Sequence, residues 1–161
     1  MIGEHPFATL SSWDRQLMRA SGGGNIGLLV GKMFHAAFQG PVILFDPYQK
    51  SLDAWESAVP NGHFRKVDTY EELLRASDIV TLHVPLTPST TNMIGRREFE
   101  MMKPTAILIN TARGGIVDED QLVDALSSGK IFGAGLDAFV SEPPSLQKYP
   151  KLCASDRVVL V

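Results

Sequence analysis

The sequence is poor in cysteine and in net charge, and it contains no long apolar run. Cys153 is the only cysteine among 161 residues, which excludes a disulfide within the chain and favours a reducing compartment such as the cytoplasm. No run reaches the roughly 18 apolar residues of a membrane span, and the first residues predict no secretory signal. A formal net charge of −3 gives no electrostatic reason to expect a nucleic acid or an anionic membrane as a partner.

What the chain does contain is a regular alternation of apolar segments and helical patterns, in a composition typical of one globular domain. Helices are predicted from an apolar stripe between Ile26 and Phe38 that Gly40 ends, from capping patterns at Thr69 and Asp118, and at residues 97–103. Strands are predicted at residues 42–45, 64–67, 79–84, 106–109, 132–139 and 157–161. The alternation predicts an α/β fold, a doubly wound parallel sheet with helices on both faces.

The segment before Gly22 is atypical for such a sheet. The next residues, 22–27, form a glycine-rich turn of the phosphate-binding type, which normally follows a buried, apolar first strand. Residues 13–21 are instead largely polar. Either a poor strand is forced into the middle of the sheet, or the sheet lacks its middle and leaves backbone groups unpaired. We therefore divide the chain into an atypical N-terminal segment, residues 1–21, and a main domain, residues 22–161.

A glycine-rich turn opens the first predicted helix. Residues 22–27 fit the pattern G-x-G-x-x-G, in which Gly22 allows the tight turn, Gly24 the close approach of a pyrophosphate and Gly27 close helix packing. Asp46 ends the next strand, where a carboxylate binds the adenosine ribose and repels a 2′-phosphate, which favours NAD over NADP. The alternatives are a flexible loop with Asp46 as a turn residue, or a related nucleotide site such as one for S-adenosylmethionine.

Three charged residues follow later strands, at the sheet edge where open α/β folds bind ligands. The planar guanidinium of Arg113 can hold a substrate carboxylate and polarise a neighbouring carbonyl, or it can cap a loop or pair with an acid. Glu142 by pattern alone is typical of a surface loop, and Asp137 either contacts a nicotinamide amide or caps a turn. His83 is interpreted as a structural histidine, and the sequence has no metal-ligand spacing.

Four motifs in this order carry a close resemblance to a known family. The glycine turn, residues 82–87, residues 110–118 and residues 133–143 resemble the NAD-binding domain of the D-isomer-specific 2-hydroxyacid dehydrogenases, over about Gly22 to Val161. That family includes glyoxylate/hydroxypyruvate reductases, phosphoglycerate dehydrogenase, D-lactate dehydrogenase and the C-terminal-binding-protein corepressors. The Arg113 loop and the segment 137–142 are specific to the family, and the Arg113 loop argues against an S-adenosylmethionine site.

The resemblance implies a cofactor, NAD, and a set of residues that bind it. The backbone at residues 25 and 26 would hold the pyrophosphate, Asp46 the adenosine ribose, and Asp137 the carboxamide, with residues 84–85 lining the cleft and 111–112 beside the nicotinamide ribose. The complete implied set is Gly22, Gly24, Asn25, Ile26, Gly27, Asp46, Val84, Pro85, Thr111, Ala112, Arg113 and Asp137.

The resemblance also implies two catalytic residues. Arg113 would grip the 2-oxo acid, and Glu142 would hydrogen-bond a catalytic histidine and keep it protonated near neutral pH. The implied reaction is NAD-dependent reduction of a small 2-oxo acid, or the reverse oxidation. Because family members are often dimers through this domain, the resemblance suggests a homodimer.

Two departures from the family limit the expected activity. The family's substrate domain has no counterpart in this sequence, and the histidine expected after the last strand does not occur before Val161. We therefore expect little turnover from this chain by itself, since both substrate positioning and acid–base catalysis are affected. The alternative function is a non-catalytic module that binds NAD(H) and meets partner proteins, as the corepressors do.

Overall fold

The computed structural model describes residues 18–161, which form a parallel sheet covered by helices on both faces. The order of the strands across the sheet is β3-β2-β1-β4-β5-β6-β7, and every neighbouring pair is parallel. The strands are β1 (Met18–Ser21), β2 (Val42–Phe45), β3 (Phe64–Lys66), β4 (Ile79–Leu82), β5 (Ile107–Asn110), β6 (Gly133–Leu136) and β7 (Val158–Leu160). The helices are α1 (Asn25–Phe38), α2 (Asp53–Ala58), α3 (Tyr70–Ala76), α4 (Arg96–Met101), α5 (Glu119–Ser127) and α6 (Pro150–Cys153).

The polar segment before the glycine turn does supply the central strand. Strand β1 pairs with β2 on one side and with β4 on the other, so that Met18 lies opposite both Val42 and Ile79. Met18 and Ala20 are 3% and 0% exposed, so alternate side chains of a short strand enter the core. The first of the two predicted alternatives is therefore correct for residues 18–21, and residues 12–17 lie outside the described residues.

Two hydrophobic clusters cover the two faces of the sheet, as expected of a doubly wound fold. The face under α1 and α2 buries Met18, Ala20, Phe34, Val42, Leu44, Trp55 and Val59. The opposite face is larger and includes Ile43, Val80, Leu82 and Leu108 beneath side chains of α3, α4 and α5. Strand order reverses between β1 and β4, so the carboxyl ends of these strands open a crevice at the position where such sheets bind ligands.

Both predicted helix caps are confirmed. The side chain of Thr69 accepts a hydrogen bond from the Glu72 amide, and that of Asp118 accepts one from the Gln121 amide. Helix α1 ends at Phe38, the last residue of the predicted apolar stripe, and Gln39 just before Gly40 takes the left-handed conformation, with φ of 51°.

Several element bounds differ from the predicted ones. Strand β4 ends at Leu82 and β6 spans only four residues, since the flanking apolar residues belong to loops. Helix α4 covers Arg96–Met101. The short helices α2 and α6 were not predicted, because neither carries an apolar stripe long enough to identify a helix. No helix among residues 18–161 has both the length and the apolar character that crossing a bilayer requires.

Candidate functional site

The glycine turn forms a narrow cradle between β1 and α1. Gly22 has φ of +105°, a conformation that side chains rarely allow, and its amide donates to the carbonyl of Phe45 at 3.1 Å. A Cβ atom on Gly27 would lie 2.1 Å from the carbonyl oxygen of Gly22, so only glycine fits there. Gly24 precedes α1 without a side-chain cap and has open space beside it. The first amides of α1 therefore remain available to an external acceptor, as at other anion-binding helix starts.

Asp46 lies against this turn from the neighbouring strand. Its Oδ2 accepts a hydrogen bond from the Gly23 amide at 2.6 Å, and its Oδ1 accepts one from the Tyr48 amide at 2.7 Å. The Nζ of Lys66 donates to the carbonyl of Gln49 at 2.8 Å, which ties the segment after β2 to β3. The hydrogen bond between Asp46 and Gly23 was not predicted. The motif assigns no role to the residue between its first two glycines, which in this chain is Gly23.

A cleft of about 520 Å³ opens beside the turn. It brings together six of the predicted site residues, from the start of α1 and from the loops that follow β4 and β5. Leu86 and His83 complete the lining, which consists of Ile26, His83, Val84, Pro85, Leu86, Thr111, Ala112 and Arg113. A second cleft of about 510 Å³ lies between α5 and α6 and contains none of the predicted site residues.

The Arg113 loop is shaped by Asn110, a side chain that the sequence reasoning missed. Asn110 is buried, its Nδ2 donates to the carbonyl of Arg113 at 3.0 Å, and its Oδ1 accepts from the Ala112 amide at 3.1 Å. The guanidinium of Arg113 is exposed, and its Nη1 donates to the Ala112 carbonyl at 2.6 Å. A polar residue at the end of an apolar strand is the signal in the sequence that could have identified Asn110.

Gly114 joins the Arg113 loop to the segment that follows β6. A Cβ atom on Gly114 would lie 2.0 Å from the carbonyl carbon and oxygen of Phe139, so the two main chains touch. The local sequence does not indicate this contact. Gly114 and Gly115 are adjacent glycines, and it is Gly115 that has positive φ, so backbone conformation does not explain the glycine at position 114.

Asp137 and Glu142 lie on that segment, outside the lining of the cleft. Both side chains are exposed. The Asp137 amide donates to the carbonyl of Asn110 at 3.0 Å, and Oε1 of Glu142 accepts from the Phe139 amide at 3.3 Å. The structure therefore brings both residues to the carboxyl edge of the sheet, where the Glu142 carboxylate accepts from main chain.

His83 is half-buried and lines the cleft, so its interpretation as purely structural is incomplete. Its Nε2 lies 3.0 Å from Oγ1 of Thr81, within hydrogen-bonding distance. Burial lowers the pKa of His83, which favours the neutral imidazole near neutral pH. Residues 18–161 contain no group of three or more histidine, cysteine or carboxylate side chains that could hold a metal ion.

Comparisons with known proteins agree with this geometry. A family model described as "D-isomer specific 2-hydroxyacid dehydrogenase, NAD binding domain" matches residues 10–161. D-3-phosphoglycerate dehydrogenase of Methanocaldococcus jannaschii is 40% identical, over 86% of this chain and 28% of that protein. Hydroxypyruvate reductase of Thermotoga maritima is 41% identical, over 86% of this chain and 42% of that protein. The chain thus spans less than half the length of these relatives.

Solved structures show the same fold. A D-isomer specific 2-hydroxyacid dehydrogenase from Lactobacillus delbrueckii ssp. bulgaricus, in its NAD-complexed form, superposes with a TM-score of 0.78 and 33% sequence identity. The superposition covers 91% of this chain and 45% of that one.

The lowered pKa of His83 predicts an acid-sensitive contribution to stability. Because the folded state binds this proton less readily than the unfolded chain does, stability is full above the ordinary histidine pKa and falls as the pH drops below it. Between about pH 7.5 and about pH 5.5, we expect the melting temperature of His83→Gln to fall less than that of the wild type. The difference in melting temperature between the two pH values is taken for each protein, which cancels any pH-independent effect of the substitution. A difference that is the same in the wild type and in His83→Gln would contradict the prediction.

Proposed function

The chain belongs to the D-isomer specific 2-hydroxyacid dehydrogenase family, as its NAD-binding domain, and we propose that it serves an enzyme that reduces a small 2-oxo acid with NADH or catalyses the reverse oxidation. The relatives named above are a reductase and a dehydrogenase. Nothing in the comparisons supports the corepressor-type alternative. The cytoplasmic location favoured by the single cysteine stays a prediction.

The observation that carries the proposal is the glycine cradle with Asp46 against it, beside the cleft. The space that a Cβ atom on Gly27 would fill is taken by the Gly22 carbonyl, so the turn keeps the shape that a pyrophosphate needs. The residues therefore fit NAD. The amides of Asn25 and Ile26 would hold the pyrophosphate, and Asp46 would accept hydrogen bonds from the adenosine ribose.

The nicotinamide end would occupy the cleft. Val84 and Pro85 would line it on the β4 side and Thr111 and Ala112 on the β5 side, which agrees with the lining of the cavity. Asp137 would bond the carboxamide from the end of β6. Bound in this way, NADH would supply a hydride for the carbon of the 2-oxo group.

Arg113 is the residue for which we propose direct contact with the substrate. Its exposed guanidinium lines the cleft and offers paired donors that match a carboxylate. Glu142 would orient and charge a histidine, as in the family. Within residues 18–161, the histidine that lines the cleft is His83, whose lowered pKa leaves it mostly neutral and a poor proton donor. We therefore propose that this chain by itself binds NADH but turns over slowly.

A fluorescence titration with NADH and NADPH tests the cofactor assignment. We expect NADH to bind more tightly, because the Asp46 carboxylate repels a 2′-phosphate. Asp46→Ser should weaken NADH binding and reduce the preference for NADH over NADPH by about tenfold, which is about 1.4 kcal/mol. Gly27→Ala should abolish binding of both, since the added methyl group displaces the Gly22 carbonyl.

Gly62→Ala is the matched control for Gly27→Ala, since a Cβ atom there meets nothing within 4 Å, although its φ of +74° gives some strain. If folded wild-type chain binds neither cofactor at millimolar concentration, or binds both equally, the assignment is wrong.

Binding of oxamate, an unreactive mimic of a 2-oxo acid, tests Arg113 without requiring turnover. Loss of a charge-assisted pair should raise the dissociation constant of oxamate for the NADH complex about 10- to 100-fold in Arg113→Ala, with a smaller effect in Arg113→Lys. Titration calorimetry measures both, with Arg97→Ala, an exposed arginine on α4, as the control. Oxamate binding that is equal in wild type and Arg113→Ala would refute the proposed contact.

We also propose that the chain forms a homodimer through α1. Leu29 and Met33 share one face of the helix, and 53% and 62% of their respective surfaces are exposed. An apolar stripe of this kind on a surface helix supports an interface, and the groove between α1 and α2 continues it.

Sedimentation analysis of charged variants tests this interface. Leu29→Glu with Met33→Glu should convert a dimer to a monomer, because burying two carboxylates against the second copy is unfavourable. Leu146→Glu, at an exposed leucine in the loop before α6, should leave the dimer intact. A monomeric wild type, or a dimer that survives the double substitution, argues against an α1 interface.

A further inference from the structure

Three successive main-chain amides after β6 are each held by a side chain. The Phe139 amide donates to Oε1 of Glu142 at 3.3 Å, the Val140 amide to Oε1 of Glu119 at 2.8 Å, and the Ser141 amide to the hydroxyl oxygen of Tyr149 at 2.7 Å. We call the segment 137–142 with these three acceptors the amide clamp. It contains both Asp137 and Glu142, and two of its acceptors come from elsewhere in the chain.

Glu119 anchors the clamp to a helix. It is the first residue of α5, where the helix dipole stabilises a carboxylate. A hydrogen bond between an ionised carboxylate and a backbone amide is stronger than a neutral one. Since α5 follows the Arg113 loop directly, Glu119 connects the loop after β5 to the loop after β6.

Tyr149 closes the clamp from the other side. Its ring packs against that of Phe139 with centroids 5.3 Å apart, and Phe139 is buried. Burial raises the pKa of Tyr149, and the nearby Glu119 carboxylate adds to the rise against the lowering effect of the Ser141 amide. The phenol therefore keeps its proton at neutral pH, and its oxygen is free to accept from Ser141.

The clamp also lies against the Arg113 loop. Gly114 touches the Phe139 peptide, and the Asp137 amide is bonded to the Asn110 carbonyl. The segment 137–142 is thus held by main chain on one side and by Glu119 and Tyr149 on the other. Loss of either acceptor would leave backbone amides of the loop without their partners, which favours other loop conformations.

We propose that Glu119 and Tyr149 are positioning residues for the nicotinamide half of the cofactor. They hold the backbone that carries Asp137, and so fix the distance between the Asp137 carboxylate and the carboxamide. The inference rests on the proposed function, because it uses Asp137 as the carboxamide ligand. The adenosine half depends on the glycine turn and on Asp46, which the clamp does not touch.

Comparing NADH with ADP-ribose, which lacks the nicotinamide, separates positioning from general damage. Glu119→Ala should raise the dissociation constant for NADH about tenfold and leave that for ADP-ribose within about twofold. Glu119→Gln keeps an acceptor oxygen and should restore NADH binding. Tyr149→Phe, which keeps the ring against Phe139 but loses the acceptor for Ser141, should weaken NADH binding selectively.

Asp120→Ala is the matched control, because Asp120 is an exposed acid in the same first turn of α5. It should bind both ligands as wild type does. Equal weakening of NADH and ADP-ribose by Glu119→Ala, or failure of Glu119→Gln to restore binding, would overturn the inference.

Amide hydrogen exchange measures whether the amides of the clamp are hydrogen-bonded, and it requires no ligand. The Val140 amide should lose protection in Glu119→Ala and keep it in Glu119→Gln and Asp120→Ala. Unchanged protection in Glu119→Ala overturns the inference even if wild type binds NADH. A folded wild type that binds neither NADH nor ADP-ribose overturns the proposed function and the cofactor half of the inference, while the exchange result still decides whether the clamp exists.

Discussion

The pairing of Met18–Ser21 with strands on both sides is the constraint on which the rest of the structure depends. Main-chain hydrogen bonds to β2 and β4 hold this strand irrespective of its side chains. Once it is central, Gly22 must turn at the point where strand order reverses, and α1 must start above the crevice. The Asp46 carboxylate then reaches the turn because β2 is the immediate neighbour of β1.

The two ends of the site are built in different ways. At the proposed adenosine end, the groups that would face the ligand are backbone amides shaped by close contacts between glycines, with the Asp46 side chain beside them. At the proposed nicotinamide end, the lining comes from loops that follow β4 and β5, and the loop after β5 depends on the buried side chain of Asn110. The first end is therefore a property of the fold, and the second depends on particular side chains.

Much of the fold could be predicted from the sequence, because its signals are local. The apolar strand β2, the caps at Thr69 and Asp118, and the glycine turn each lie within a few residues of the features that identify them. Strand β1 could not be predicted with the same means, since only Met18 and Ala20 mark it and its partners are distant in the chain. For the same reason the sequence pointed to Arg113 and Glu142 but not to the bond between Glu119 and Val140, which are 21 positions apart.

The contact between Gly114 and the Phe139 peptide bears on how such domains can be recombined. At this contact backbone meets backbone directly, so no side chain lies between them whose exchange could compensate for a shifted loop. A chimera with its crossover between these two positions takes one surface of the contact from each parent, and it fits only when both parents follow the same path there. Residues 114–139 and their flanks are therefore best inherited as a single block, with junctions placed outside it.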